Sequence, residues 1–408
     1  MRMTIILVPM VFKAVRYLGP LHTTAFVLLA AAVYASRKAH VRAAKALSVS
    51  AVALVLLSVL SVAPRPFADQ PFPDAQEAAD SARQLVSGNG YVTYVHENKR
   101  HPPRYPPGFA LALAPFAAAG DDYPWNVQRG ATFYAALYVL VAAAAAWSLG
   151  GPVAGALAAV LIGFSPFTRA EASLIMSDAF AAGATVLLML LLLSPTPKRV
   201  SAAGLLAGAL VATRLPTLVN LVALLVVLPW PMRRRVLLFA APPLAALCLY
   251  NWVTFGGPLR TGYDYWLPEV KNFALAFAHT APMKGDGPWL VGDLLDGRLL
   301  RWVCPCPLGG PQAAMSNLFF YPSVVLGLFW VYLPPLFSVV GMLYGWERRR
   351  EPVVRFALLV AGFSLLLFTF YYYQGARFMA APATLLGVLA SAKLAGWLGR
   401  GAGRAPAA

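Results

Sequence analysis

Stretches of about 20 apolar residues, each long enough to cross a bilayer as a helix, follow one another along this chain and leave little room for any other fold. Candidates run at 20–36, 46–63, 127–149, 152–166, 176–194, 234–252, 318–345, 352–372 and 378–397, with two shorter apolar pieces, 201–213 and 216–230, that read as a hairpin of incomplete helices. Composition agrees: 59% of residues are hydrophobic and only 12% charged, whereas soluble domains carry roughly 25% charged residues. No sheet is expected inside the membrane, because a lipid-facing backbone group must find its partner within its own helix. The fold class is therefore an all-α, polytopic integral membrane bundle of about 10 to 12 transmembrane helices.

The net charge of +17 would suit a nucleic-acid partner if it formed one patch, but it does not. The basic residues sit in short breaks between apolar runs: Arg37, Lys38, Arg42 and Lys45; Lys198 and Arg199; Arg233, Arg234 and Arg235; Arg348, Arg349 and Arg350; Arg400 and Arg404. By the positive-inside rule these are cytoplasmic loops that also meet membrane lipids. No nucleic acid is expected. The same assignment puts the loop at 64–126, the turn near 167–175, the loop at 253–317 and the turn at 374–377 on the extracytoplasmic side. Residues 1–45 read as an extra helix or in-plane segment, 46–397 as the transmembrane domain, and 398–408 as a short cytoplasmic tail.

Familiar soluble-enzyme motifs are absent. Cys304 and Cys306 form a Cys-Pro-Cys with no histidine near, Cys248 lies in a span, and the five histidines make no paired metal pattern. No phosphate-cradling Gly-rich loop and no nucleophile elbow occur.

What stands out is the polar island from Pro71 to Pro115. Asp74 follows Pro-Phe-Pro and opens a short segment in which Ala78, Ala82, Leu85 and Val86 recur at helical spacing, as in a helix lying on the membrane surface. Gly88 and Gly90 end it. Read locally, Asp74 is either the N-cap of that helix or a carboxylate available for chemistry.

The island continues as Arg104-Tyr105-Pro106-Pro107, and further elements follow in order. Ser165-Pro166 precedes Met176-Ser177-Asp178, and Ala212-Thr213-Arg214-Leu215-Pro216 makes a turn. Tyr250-Asn251, Phe255-Gly256-Gly257-Pro258-Leu259 and Thr261-Gly262-Tyr263 come next, then Gly375-Ala376-Arg377-Phe378 with Pro382. Together with Asp74, Ala82, Arg83, Leu85, Gly88, Gly90 and Tyr91, this set resembles the GT-C class of membrane glycosyltransferases. The likeness is to the bacterial protein O-mannosyltransferase and lipid A aminoarabinose transferase kind, and it covers residues 46–397. Two departures stand. No appended soluble domain is expected after the last span, and the helix after Asp74 lacks the tyrosine that often follows.

The resemblance implies a GT-C fold whose extracytoplasmic loops carry short surface helices, in a bacterial inner or plasma membrane. It implies transfer of a sugar from a polyprenyl-phosphate donor to an extracytoplasmic hydroxyl of a lipid, glycan or protein, with inversion. A hydroxyl acceptor needs a general base, and Asp74 is the candidate. The phosphate leaving group needs a cation, and guanidinium groups suit it because they donate in pairs and stay charged. Arg104, Arg214 and Arg377 are the candidates. His96, Glu97, Tyr105, Glu171, Asp178 and Tyr263 are expected around the sugar and acceptor. A divalent metal held by Asp74 with Glu171 or Asp178 is possible chemically but not required. Two rivals predict otherwise: a secondary transporter or lipid flippase, which should show internal repeats and midplane charges, and a non-catalytic partner subunit, which should tolerate loss of Asp74.

Overall fold

The computed structural model describes residues 20–96, 98–262, 283–284, 309–328, 331–369 and 373–399. Glu97, Tyr263, the tryptophans at 266, 289 and 302, and the Cys-Pro-Cys lie outside the described residues, as does the segment 1–19.

The described chain is almost entirely helical. α1 (Pro20–Arg37) and α2 (Val41–Leu60) form a hairpin that turns at Ala39, whose φ is 59°. After a loop come α3 (Asp74–Val86) and α4 (Gly108–Ala117), then α5 (Trp125–Gly150) and α6 (Pro152–Gly163). Next are α7 (Pro166–Ser173), α8 (Asp178–Leu191), α9 (Pro197–Val211), α10 (Leu218–Val227) and α11 (Trp230–Phe255). The last four are α12 (Gly309–Val325), α13 (Phe337–Glu347), α14 (Pro352–Thr369) and α15 (Ala380–Gly399). Two-residue strands Met283–Lys284 and Tyr373–Gln374 pair in parallel.

Local sequence explains several boundaries. Ser165 and Thr196 cap α7 and α9 by accepting backbone N–H groups, and each is followed by a proline at the first helical position, where the missing N–H is no loss. Ser165 also marks the corner at which α6 and α7 bend by 64°. The expected span 318–345 is instead two helices, α12 and α13. Gly327 (φ 76°) and Pro334-Pro335 break it, and a Cβ at Gly327 would come within 2.6 Å of the Leu333 carbonyl oxygen.

By length and composition, five described helices can cross a membrane: Val41–Leu60, Trp125–Gly150, Trp230–Phe255, Pro352–Thr369 and Ala376–Gly399. The bent α6–α7 pair makes a sixth, and α4, α8 and the segment Leu215–Val227 are shorter apolar helices. α15 is the centre of the bundle, packed by α5, α6, α8, α13 and α14. Alanines line these contacts, among them Ala135, Ala142, Ala154, Ala156, Ala383 and Ala390, all essentially unexposed. Small side chains let helix backbones approach closely, the packing that holds helices together in lipid. α1 joins the same core through Ala25, Leu29 and Ala32.

A second, smaller core lies beside the bundle. Ala75, Ala79 and Ala82 of α3 pack on Phe109, Ala110 and Leu113 of α4, on Val127 and Ala131 of α5, and on Ile175 and Met176. We call α3, α4 and the loop between them the cap. It docks on the bundle where the Gly108 N–H donates to the Ala212 carbonyl at 2.7 Å. A side chain at Gly108 would collide with that oxygen, also at 2.7 Å.

Candidate active site

Asp74 is the first residue of α3, and it does not cap the helix. Pro73 holds the cap position and no side-chain cap bond forms there. The carboxylate turns instead toward the bundle. Its Oδ1 accepts from the Tyr105 hydroxyl at 2.5 Å, and its Oδ2 accepts from Arg377 Nη2 at 2.7 Å. This corrects the capping alternative: the proline-rich approach places Asp74 one position inside the helix, where a side chain faces outward. Burial, with Asp74 beside it, keeps the Tyr105 phenol well above its ordinary range, so it stays a donor.

Arg377 sits in a short 3-10 turn, Ala376–Met379, that leads into α15. Arg214 sits in the turn between α9 and the 3-10 turn Leu215–Thr217, and it forms an ion pair with Asp178, the first residue of α8. Both guanidinium groups lie within 6 Å of one ring: Arg214 at 5.9 Å and Arg377 at 5.6 Å from the Phe378 centroid. Phe378 is itself stacked on Phe368 at 4.7 Å. An aromatic face of this kind attracts cations and holds them in place. Two arginines about 160 residues apart in sequence thus converge.

Two clefts meet at these arginines. One is the more polar of the two and is lined by Asp74, Glu77, Tyr91, Tyr105, Ser177 and Thr213. The other runs between α8, α10, α14 and α15 and is mostly apolar, with Ala181, Ala182, Val219, Val360, Phe368 and Pro382 on its walls. Asp178, Arg214 and Arg377 line both. The empty space in the two is about 480 and 440 Å3, including the part open to solvent. Cations at the junction of an apolar groove and a polar cleft suit an anion carried on an apolar tail.

The remaining expected residues divide. Tyr105 and Asp178 line the site. Glu171 lies beneath it, 5% exposed, accepting the Ala179 backbone N–H at 2.9 Å, and it lines neither cleft. It fixes the start of α8 rather than facing a ligand. Arg104 likewise lines neither cleft: its backbone N–H donates to Glu77, and its Nε is buried without a hydrogen-bond partner among the described residues. The arginine that reaches Asp74 is Arg377, while Arg104 gives its backbone N–H to Glu77 and its neighbour Tyr105 points in. His96 stands behind the site, its Nε2 3.7 Å from Glu77 Oε2 and its ring edge-on to Phe72. No cluster of three or more metal-ligating side chains occurs among the described residues.

Glu77 is the residue that sequence reasoning missed. It lines the polar cleft, is 1% exposed, and lies on the Asp74 face of α3. Burial pushes its carboxyl up to about 7, against the pull of the Arg104 backbone N–H. The signal was present in the i, i+3 spacing of the two acids, which makes them neighbours on a helix.

No family model matches the chain, and no curated protein matches it in sequence. Solved structures do match. ArnT from Cupriavidus metallidurans in the apo state is 17% identical with a TM-score of 0.53, covering 86% of this chain and 59% of that one. The same protein bound to undecaprenyl phosphate is 17% identical with a TM-score of 0.50, at the same coverage. An oligosaccharyltransferase from Archaeoglobus fulgidus, tethered with an acceptor peptide, is 12% identical with a TM-score of 0.49, covering 85% of this chain and 49% of that one. The chain therefore spans about three-fifths of the length of the ArnT structures it matches, 59%. At such identities the likeness is one of fold, and with the apolar helices it makes this chain an integral membrane protein of the GT-C fold.

Proposed function

We propose that this protein is a glycosyltransferase that moves a sugar from a polyprenyl-phosphate donor to a hydroxyl group on the extracytoplasmic side, with inversion. The observation that carries the reading is the junction itself: a carboxylate and two arginines where a polar cleft meets an apolar groove. The groove takes the first isoprene units of the donor, and Arg214 and Arg377 take its phosphate. To do so Arg377 exchanges Asp74 for a phosphate oxygen, which frees the carboxylate as the base.

In the transfer, Asp74 accepts the proton of the acceptor hydroxyl while that oxygen bonds to the anomeric carbon. The bond from that carbon to the phosphate oxygen breaks on the opposite face. The electron pair leaves on polyprenyl phosphate, whose added charge the two guanidinium groups stabilise without any proton being supplied. One carboxylate therefore suffices, unlike glycoside hydrolysis, whose alkoxide leaving group needs a second carboxyl group as acid. Tyr105 fixes the Asp74 rotamer through its hydroxyl.

Incubation of the purified protein with a panel of radiolabelled polyprenyl-phosphate sugars and an extract of envelope acceptors tests the reading. Transfer of label from at least one donor is expected; binding or transport of donor without transfer would favour the transporter or flippase. Sidedness has its own test. Cysteines introduced at Asn98 and Met232 should label from opposite faces, and labelling of both from the cytoplasm would overturn the extracytoplasmic site.

A further inference from the structure

Each turnover of the proposed reaction leaves one proton on Asp74, in a cleft where its side chain is only 17% exposed. Asp74 cannot act again until that proton leaves. The neighbours of Asp74 offer one route. Tyr105 is held protonated, and Arg377 is a permanent cation. Glu77, one helical turn along α3, lines the same cleft, and side chains at that spacing are about 5–6 Å apart at their Cβ atoms, within reach of one bridging water.

The surroundings of Glu77 are asymmetric. Its Oε1 accepts the Arg104 backbone N–H, while its Oε2 has no hydrogen-bond partner among the described residues. Oε2 faces His96 Nε2 at 3.7 Å, an ion-pair separation, and His96 is 14% exposed. The other groups facing Glu77 are Asp74 on its own helix, Arg104, Tyr105 and Tyr91 from the loop, and Tyr250 from α11. Burial keeps Tyr91 well above the ordinary phenol range. Glu77 and His96 therefore place a carboxylate oxygen beside an imidazole nitrogen, two groups that can pass a proton in turn.

We propose that Glu77 and His96 form a proton exit that carries the acceptor's proton from Asp74 to the aqueous phase. The proposal rests on the glycosyltransferase reading. The protonated Asp74 gives its proton to the Glu77 carboxylate, Glu77 gives it to the neutral His96 imidazole at Nε2, and the imidazolium releases it to water. Only O–H and N–H bonds change, and Asp74 returns to a carboxylate that pairs again with Arg377. The orphaned Oε2 is what a relay needs: a lone pair that no structural bond occupies.

Since burial raises Glu77 to about 7, it is protonated below that pH and cannot accept. Turnover should therefore fall as pH drops through about 7. In Glu77→Gln, whose amide oxygen can still accept the Arg104 N–H, turnover should fall about tenfold at neutral pH and lose that limb of the profile. His96→Ala should also slow turnover, with recovery on addition of free imidazole, which no structural role would produce. Infrared spectroscopy of the intact protein provides a readout apart from activity: a protonated carboxyl band should titrate away near pH 7 and be missing from Glu77→Gln. A Glu77→Gln protein with the parent rate and pH profile, or the absence of that band from the unsubstituted protein, would overturn the relay. Absence of transfer from every donor, with the band present, would overturn the glycosyltransferase reading instead.

Discussion

The cap and the membrane bundle are both packed around alanine, and they differ in what surrounds it. In the bundle, Ala142, Ala154 and Ala383 lie among leucines, valines and more alanines, and the buried polar contacts are isolated pairs such as Tyr138 with Thr384 and Asn220 with Thr185. At the cap, Ala75, Ala79 and Ala82 also sit in an apolar core, but two polar clusters flank it. Gln70 bonds Gln128, the Ser173 carbonyl and the Ile175 N–H, and Asp80 accepts from the Thr93 hydroxyl and the Tyr94 N–H. The contrast follows from solvent. Lipid offers a polar side chain nothing, so bundle helices satisfy their own backbones; in the cap, the loop between α3 and α4 holds the acids with its N–H and O–H donors.

Charge follows the same division. The acids Asp74 and Glu77 come from the cap, while the arginines Arg214 and Arg377 come from helix ends of the bundle, where long side chains reach toward the interface. Asp178, also on the bundle, is paired with Arg214. The site is thus a seam. The Asp74–Arg377 ion pair exists only while the cap is docked.

Breaking the acid half should have the largest effect. Asp74→Asn keeps the side-chain shape and can still accept the Tyr105 hydroxyl, but it cannot take a proton, so turnover should fall by about 10² to 10⁴. Its melting temperature should fall, because a largely buried ion pair is lost, but the protein should still fold, since the amide keeps the shape and the Tyr105 contact. A fully active Asp74→Asn protein would remove the base from the proposal. Breaking the basic half should cost less. Arg377→Lys keeps the charge but loses the planar pair of donors, and donor affinity should fall about 10- to 100-fold, the worth of a charge-assisted hydrogen bond of about 1.5 to 3 kcal/mol. Donor titration checks this; equal affinity in the lysine and alanine variants would make Arg377 an interfacial residue with no phosphate role.

Disturbing the seam without touching either half sharpens the comparison further. Gly108→Ala puts a methyl group against the Ala212 carbonyl, an overpacking that should destabilise the cap by about 1 to 3 kcal/mol. Proteolysis should then cut between α3 and α4 faster than in the parent, while the bundle persists. Equal protease resistance would show that the cap does not depend on this contact.

The class of fold was legible residue by residue, because insertion into a bilayer is decided segment by segment from about 20 apolar residues at a time. Asp74 was legible only through the order of motifs that resembles the GT-C class, since its local pattern left it open between an N-cap and a free carboxylate. Its partner was not. Asp74 and Arg377 are 303 positions apart, and nothing in local pattern distinguishes Arg377 from Arg104, which is only 30 residues away from Asp74 yet lines neither cleft. The interruption at Gly327 and Pro334 shows the same limit, since mean hydropathy runs through it while backbone geometry does not. Burial of Glu77 was hidden because three-residue spacing places it beside Asp74 but says nothing of the loop that folds over both. Apolar length and the order of the motifs were therefore matters of sequence, set by local transfer free energy. Which arginine meets which acid was decided by tertiary packing, since only the docking of the cap on α9 and α15 brings those charges within hydrogen-bonding distance.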